Sequence, residues 1–278
     1  MKTYAILGGT GSTGSSIICQ LLEDEEIHLN IYARSAQRLA EKVPHLSSNP
    51  RAKSYIGTLD NVELLANCLE GVDAAFFTVA TNFNEPHCSI AQQTAHSAVS
   101  ALEIVRSRVT KRNGKTKRSW VCPPLVFLSS AGINLKLIEQ QSWLFGFAVS
   151  RGCYWIYRDL ALAEKYLRSH EWLSVVFVQP NALVHDRPFG VRLDEGEASS
   201  RCSYADLATA MVLAAEGQTA SEDLKGDNNK WIGKRVGVTS LGGEEVKAAT
   251  ENLQYIIPGF VGYWSPTLWD MCKSIGLW

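Results

Sequence analysis

The chain has 278 residues with 27 Lys and Arg against 28 Asp and Glu, a formal net charge of -1. This length suits one α/β domain with a full core, and the balanced charge excludes a surface that attracts nucleic acid or anionic membrane as a whole. Seven cysteines without a Cys-x-x-Cys pair favour a reducing compartment, and the cytoplasm is expected. The longest apolar run, residues 143–149, is too short to span a bilayer.

The chain begins with an apolar strand, a glycine-rich loop and an apolar helix. Residues 4–7 predict the strand, the seven residues 8–14 form the loop, and apolar residues from 17 to 22 predict one face of the helix. Glycines allow a tight turn and a close approach of pyrophosphate, and the helix N-terminus stabilises the anion. A dinucleotide-binding loop is therefore predicted, with these candidate residues: Gly8, Thr10, Gly11, Ser12, Thr13 and Gly14.

An arginine follows the second predicted strand, where sites that prefer NAD place an acidic residue against the ribose hydroxyls. The guanidinium of Arg34 can pair with a 2′-phosphate and stack on adenine. The sequence therefore favours NADP(H), with Ser35 as a second candidate ligand of the same phosphate.

Strand-like and helix-length segments alternate along the chain. The predicted strands cover 3–8, 27–33, 53–57, 73–80, 124–130, 173–179 and 235–239, and the predicted helices cover 13–24, 61–70, 88–106, 136–149, 154–169 and 204–216. This order predicts a doubly wound parallel sheet, the Rossmann fold, as a single domain over 1–278. Loops from about residue 181 onward are expected on the substrate side, because ligands sit at the carboxyl ends of the strands.

The segment 106–119 carries seven Lys or Arg residues. No aromatic residue interleaves with these charges, so the segment is interpreted as an exposed loop and not as a nucleic-acid site.

The fifth strand and the helix after it carry the candidate chemistry. Ser130 ends the strand, Tyr154 follows 24 positions later, and Arg158 lies one helical turn beyond it. An apolar stripe is expected to face the core, so that Tyr154 and Arg158 point away from it. The stripe consists of Ile156, Leu160, Ala163 and Leu167.

The glycine loop, Arg34, Leu128-Ser129-Ser130-Ala131-Gly132, Tyr154-x-x-x-Arg158 and Gln179-Pro180 resemble the extended and atypical short-chain dehydrogenase/reductases. Within them, the chain is similar to NmrA-like fungal reductases of the averufin oxidase-like kind. The resemblance implies an NADPH-dependent reductase of a polyphenolic or quinonoid metabolite from polyketide pathways. It also implies that Ser130 polarises the substrate oxygen and that Tyr154 transfers the proton.

Two departures from the family pattern leave alternatives open. Arg158 stands where the family has a lysine that lowers the phenol pKa, and Tyr157 is a second candidate for the acid/base. Thr58 replaces an aspartate that binds the adenine amino group, while Leu59 is expected to cover the adenine ring. A non-redox isomerase, dehydratase or cyclase and an NADP(H)-sensing regulatory protein remain the alternative functions.

Aromatic residues are the candidate walls of a pocket for an aromatic small molecule. They are Phe83, Trp143, Phe145, Phe147 and Phe189, and a tail rich in aromatics from Tyr255 to Trp269 either covers the pocket or packs on the core. His87 and His185 lie in loops near the expected mouth. No metal is expected, since no cluster has ligand spacing, and the sequence leaves the oligomeric state open.

Overall fold

The computed structural model describes residues 1–112, 120–138, 143–220, 226–227, 229–248, 250 and 253–277. Its strands are β1 (Lys2–Leu7), β2 (Ile27–Ala33), β3 (Ala52–Ile56), β4 (Ala74–Phe77), β5 (Leu125–Leu128), β6 (Val175–Gln179), β7 (Ala182–Val184), β8 (Val191–Asp194), β9 (Arg201–Ser203) and β10 (Arg235–Ser240). Its helices are α1 (Ser12–Leu22), α2 (Ala36–Lys42), α3 (Val62–Leu69), α4 (Ile90–Arg112), α5 (Leu135–Ile138), α6 (Trp143–Gly152), α7 (Tyr154–Arg168), α8 (Tyr204–Glu216), α9 (Leu253–Trp264) and α10 (Pro266–Ser274).

Eight of the described strands form one sheet in the order β3-β2-β1-β4-β5-β6-β10-β8. All neighbours pair in parallel except β10 with β8, which is antiparallel at the edge. The central strands read as continuous apolar runs because helices cover both faces of a parallel sheet. The predicted doubly wound Rossmann fold is confirmed.

The two faces of the sheet are covered by different helices. α1 and α8 pack on one face, where Ile17, Ile18 and Met211 are fully buried. α3, α4 and α7 cover the other face, where Leu160, Ala163 and Leu167 of the predicted stripe are buried. This packing fixes the rotation of α7 about its axis, which decides which of its side chains reach the site.

Several elements differ from the sequence-based prediction. The expected helix 136–149 is two helices, α5 and α6, and residues 139–142 between them lie outside the described residues. The short strands β7, β8 and β9 were not predicted, and β7 pairs with β9 as a separate parallel pair. α2, α9 and α10 were also missed.

The basic segment after residue 106 is helical in its first half, which corrects the prediction of a loop. α4 continues to Arg112 because two of its arginines form ion pairs with one acidic residue in α3 and one directly after α3. Arg108 pairs with Glu63 and lies 2.9 Å from Glu70, and Arg112 lies 2.5 Å from Glu70. Residues 113–119 lie outside the described residues.

Across the described part of the chain, none of the helices combines the length and the hydropathy that crossing a membrane would require.

Candidate functional site

A cavity of about 410 Å³ opens where β1, β4, β5 and β6 end. Gly11, Ser12 and Thr13 line one end of it, and residues 78–82 and 128–130 line its middle. Its far end lies between α6, α7 and α9. Open α/β sheets bind ligands at this edge, beyond the carboxyl ends of their strands.

The glycine loop has the backbone geometry that pyrophosphate binding requires. Gly8 has a φ of +92°, which favours glycine. A Cβ at Gly14 would overlap the Gly8 carbonyl and lie 2.9 Å from the Thr78 hydroxyl. α1 then begins at Ser12 with no side chain capping its N-terminus. Its first N–H groups are left to bind an anion, so the loop fits a dinucleotide.

The predicted loop residues divide into two groups. Gly11, Ser12 and Thr13 line the cavity, whereas Gly8 and Gly14 shape the turn behind it. The remaining candidate, Thr10, is half-buried beside them and does not contribute to the lining.

The candidates for the adenosine end follow β2 and β3, outside the cavity lining. Arg34 is exposed and forms no ion pair with the described residues. The Ser35 hydroxyl oxygen accepts a hydrogen bond from the Arg38 N–H at 3.2 Å, which leaves its O–H free to donate. Leu59 is half-buried, and the carbonyl of the neighbouring Thr58 accepts a hydrogen bond from the Tyr32 hydroxyl at 2.7 Å.

Tyr157 is the tyrosine that the structure brings to Ser130. Both residues line the cavity, and the Ser130 hydroxyl is hydrogen-bonded to the Tyr157 phenol. The Ser130 oxygen also accepts a hydrogen bond from the Gly132 N–H at 3.2 Å. A Cβ at Gly132 would overlap the phenol ring. The phenol therefore lies directly on the Gly132 backbone, at the end of β5.

Tyr154 and Arg158 lie elsewhere, which corrects the predicted pairing with Ser130. Tyr154 is 37% exposed and packs edge-on against Trp155 and Tyr263. Arg158 is exposed, 5.5 Å above the Trp155 ring. The reason is helical phase, because the side chains of α7 that reach the cavity recur three and four residues apart. The lining residues with this spacing are Cys153, which directly precedes α7, and Ile156, Tyr157 and Leu160, and Asp159 also lines the cavity.

The surroundings of Tyr157 keep its phenol protonated. Burial raises the pKa of Tyr157 above its ordinary value, nearby Cys153 raises it further, and the hydrogen bond from Ser130 lowers it in part. Burial also raises the pKa of the Cys153 thiol to about 11, so this cysteine is not a nucleophile at neutral pH. Ala161 occupies the position one helical turn after Tyr157.

Among the described lining residues, Asp159 is the one with a charge. Its carboxylate is buried and accepts hydrogen bonds from the N–H groups of Ala91 at 2.8 Å and Gln92 at 3.1 Å, and from the Gln92 side chain at 2.9 Å. Asp159 therefore caps the N-terminus of α4, and its charge is satisfied within the protein.

Among the residues with described side chains, those that line the far end of the cavity are mainly aliphatic. Ile138, Val149, Ile156 and Ile256 line it, together with the tail residue Tyr255. The three predicted wall residues with described side chains do not line it. Phe83 packs edge-on against Tyr255 at 5.3 Å, while Phe147 and Phe189 lie under arginines. The side chains of Trp143 and Phe145 lie outside the described set.

The two loop histidines lie outside the cavity lining. His87 is exposed over the Trp155 ring at 4.4 Å, and His185 is exposed against Tyr204 at 4.6 Å. Over the described ranges, no group of His, Cys, Asp and Glu is arranged to hold a metal ion.

Sequence reasoning missed Asn84, which is 3% exposed. Its side-chain oxygen accepts hydrogen bonds from the Trp155 N–H at 2.7 Å and the Ile156 N–H at 3.1 Å, and its amide donates to the Gly259 carbonyl at 3.2 Å. Asn84 therefore joins the 81–87 loop, the start of α7 and the middle of α9. A polar residue in a polar loop carries no signal of such burial.

The comparisons with known proteins agree with this geometry. A family model described as NAD(P)H-binding matches residues 8–217. Oxidoreductase nsrR of Aspergillus novofumigatus is 36% identical over 225 residues, which is 81% of this chain and 82% of that protein. Oxidoreductase stcQ of Emericella nidulans is 37% identical over 225 residues, 78% of each chain.

Solved structures share the fold. A short-chain dehydrogenase/reductase from Veillonella parvula in complex with NADP aligns with a TM-score of 0.61 at 16% identity, covering 87% of this chain and 95% of that one. A second form of a Veillonella parvula enzyme of that class aligns with a TM-score of 0.62 at 18% identity, with the same coverage. The chain therefore belongs to the NAD(P)H-binding family and has the Rossmann fold of the short-chain dehydrogenase/reductases.

Proposed function

We propose that the chain is an NADPH-dependent reductase of the atypical short-chain class, which reduces a carbonyl of a polyphenolic or quinonoid metabolite. One observation carries the proposal. A single cavity joins the phosphate-binding loop to the Ser130–Tyr157 hydroxyl pair and continues into a mainly aliphatic pocket without a cationic side chain among its described lining residues. Two similar proteins, oxidoreductases nsrR and stcQ, are named for redox chemistry, which supports the proposal.

Each part of the cavity has a role in this reaction. NADPH, when bound, supplies the hydride that reaches the carbonyl carbon. The N-terminus of α1 would hold the pyrophosphate, and outside the cavity Arg34 and Ser35 would hold the 2′-phosphate while Leu59 would cover the adenine. Ser130 donates a hydrogen bond to the carbonyl oxygen, and Tyr157 donates the proton that this oxygen needs as the carbonyl becomes a hydroxyl.

The raised pKa of Tyr157 favours reduction over oxidation. A phenol that keeps its proton is ready to act as an acid, but it is a poor base for removing a proton from an alcohol. The cavity lining described here offers no cationic side chain that would stabilise the phenolate.

The pocket favours a neutral, planar and hydroxylated substrate. The described walls of its far end are mainly aliphatic, and Asn82, Ser150 and Tyr255 are among the lining residues with polar side chains. A carboxylate or phosphate on the substrate would lose its hydration here without gaining a cationic partner among the described lining residues.

The test is a pair of matched tyrosine variants, assayed with NADPH and a panel of polyhydroxylated anthraquinones with menadione as a simple quinone. Tyr157→Phe is expected to lower kcat by roughly 100-fold, the usual contribution of a general acid. Tyr154→Phe removes the same hydroxyl from the same helix outside the cavity, and should retain nearly all activity. The reverse ranking would contradict the assignment, and so would tight NADPH binding without turnover of any acceptor.

A non-redox lyase or isomerase is the second candidate, because Ala161 occupies the place where a lysine would follow Tyr157. In that reaction the protonated phenol of Tyr157 acts as an acid and no hydride moves. NADPH deuterated at the transferring carbon distinguishes the two candidates. Deuterium in the product supports the reductase, whereas turnover without label transfer supports the second candidate.

A further inference from the structure

A buried carboxylate lies beneath the loop that carries Ser130. Glu164 of α7 is fully buried, and it accepts hydrogen bonds from the Ser129 hydroxyl at 2.6 Å, the Gln179 amide at 3.1 Å and the Arg235 guanidinium at 2.7 Å. We call these four residues the Glu164 cluster. They join α7 to the residue after β5, the last residue of β6 and the first residue of β10.

The cluster connects the two halves of the hydroxyl pair. Ser129 precedes Ser130 in the chain, and Glu164 lies seven residues, about two helical turns, after Tyr157. The hydrogen bond between Ser129 and Glu164 therefore ties the strand end that carries Ser130 to the helix that carries Tyr157.

The same cluster extends under the loop after β5. Gln179 accepts a hydrogen bond from the Asn134 amide at 2.8 Å, and the Asn134 side-chain oxygen accepts one from the Lys136 N–H at 3.2 Å. Asn134 ends the short turn 131–133, which contains the Gly132 backbone beneath the phenol. Glu164 thus supports both the serine and the surface on which Tyr157 lies.

A charged residue at this place requires an explanation, because burying a carboxylate is costly unless it is paired and hydrogen-bonded. Arg235 pairs with it at 2.7 Å, with a side chain 39% exposed toward solvent. Well-packed apolar residues often replace buried ion pairs without loss of stability. What an apolar side chain lacks is a directional, charge-assisted hydrogen bond to Ser129.

We propose that Glu164 is a positioning residue that sets the separation between the Ser130 and Tyr157 hydroxyls. The effect on catalysis rests on the proposed reductase function, in which these hydroxyls act on one substrate oxygen. A small displacement of either group is enough to reduce the rate strongly.

The kinetic test compares two substitutions at the same position, with NADPH and the anthraquinone acceptor that the wild-type protein reduces fastest. Glu164→Ala removes all three hydrogen bonds and is expected to lower kcat about tenfold or more, with the NADPH dissociation constant unchanged. Glu164→Gln keeps an oxygen for Ser129 and should restore most of the lost rate.

Two further variants separate positioning from general stability. Asp206 of α8 is also a buried carboxylate with three partners, the N–H groups of Phe189 and Gly190 and the Ser240 hydroxyl, and none of these belongs to the hydroxyl pair. Asp206→Ala should destabilise the fold and leave kcat unchanged. Ser129→Ala removes only the connecting hydroxyl, and should lower kcat even if Glu164→Ala does not fold.

A spectroscopic measurement reads the position of Tyr157 without turnover. The protein is labelled with 3-fluorotyrosine, and Tyr157→Phe assigns the ¹⁹F resonance of Tyr157. The chemical shift of this resonance should change in Ser129→Ala and Glu164→Ala, and should be the same as in the wild-type protein in Asp206→Ala. The proposal is overturned if both cluster variants leave it unmoved, or if Asp206→Ala moves it equally. If the ¹⁹F resonance of Tyr157 shifts in the two cluster variants, but neither the wild-type protein nor any variant reduces an acceptor, the positioning role of Glu164 is supported and the reductase function is refuted.

Discussion

At the scale of single residues, three positions along one helix separate an exposed tyrosine from one that lines the cavity. Tyr154 and Tyr157 both follow Ser130 at a plausible distance in the sequence, and local spacing does not distinguish them. The distinction comes from the packing of Leu160 and Leu167 on the sheet, which turns Tyr157 toward the cavity and leaves Tyr154 exposed. The helix stripe predicted the core face correctly, but the choice between the two tyrosines needed the shape of the cavity.

The raised pKa of Tyr157 predicts how the rate of reduction depends on pH. An acid works in its protonated form, and a higher pKa keeps the phenol protonated to higher pH. We expect kcat for reduction to stay level up to about pH 10, the ordinary tyrosine pKa, and to fall only above it. Rates measured with saturating NADPH and acceptor test this.

A matched pH profile of Tyr157→Phe is the control, since any decline that it shares with the wild-type protein belongs to another group. A wild-type decline centred well below pH 10 that is absent from Tyr157→Phe would show that the phenol is easily ionised and contradict this reading of its environment.

The exposed guanidinium of Arg34 predicts the choice of cofactor. We expect Arg34→Glu to weaken NADPH binding by about 10- to 100-fold, the range of a charge-assisted hydrogen bond, through loss of the pair and repulsion of the phosphate. NADH lacks this phosphate, so its affinity should change little. Titrations of both cofactors by fluorescence measure the effect.

The control for Arg34 is Arg38→Glu, which introduces the same charge at an exposed residue of α2 four positions further along the chain. An equal loss of NADPH affinity in both variants would indicate a general field effect. Wild-type protein that binds NADH but not NADPH would contradict the cofactor assignment altogether.

At the scale of elements, long-range partners decide where helices extend and how they join. α4 runs through a dense basic segment because Glu63 and Glu70 neutralise Arg108 and Arg112 across the gap to α3. Composition alone indicated a loop there. α7 and α9 similarly meet through Asn84, whose hydrogen bonds reach residues 71 and 175 positions away in the chain.

Removing the Asn84 side chain should loosen this junction. Asn84→Ala leaves the N–H groups of Trp155 and Ile156 and the Gly259 carbonyl without their partner, and is expected to reduce the free energy of unfolding by about 2 to 4 kcal/mol. Because α9 carries Tyr255 and Ile256 into the cavity, KM for the acceptor should rise while NADPH affinity stays constant. Urea unfolding, cofactor titration and steady-state kinetics together test this.

Asn61→Ala provides the matched comparison. Asn61 also caps a helix, accepting a hydrogen bond from the Leu64 N–H at 3.1 Å, but it lies at the start of α3, on the far side of the sheet order from β6. Its loss should reduce the free energy of unfolding by about 1 kcal/mol and leave KM for the acceptor unaltered. Equal effects of the two variants on KM would argue against a special role for the Asn84 junction.

At the scale of the whole molecule, the sequence predicted the parallel sheet and the phosphate loop because both depend on local patterns. Alternating apolar segments identify the buried strands, and the glycine spacing of residues 8–14 identifies the turn. The antiparallel edge strand β8 and the three-residue strands β7 and β9 were not predicted from the sequence, since short strands depend on their neighbours for stability. The burial of polar residues such as Glu164 and Asn84 was not predicted for a similar reason, because their hydrogen-bond partners are distant in the chain.

The docking of α9 on α7 through Asn84 also has a consequence for biosynthesis. Strands β1 to β6 and the glycine loop emerge from the ribosome well before residues 255 and 256, and a domain generally folds as a unit. The nascent chain therefore exposes the apolar cavity residues that pack near Tyr255 and Ile256 until α9 has been synthesised. A nicotinamide dinucleotide that binds only the folded protein stabilises it by mass action, so cofactor supply is expected to raise the yield of folded protein.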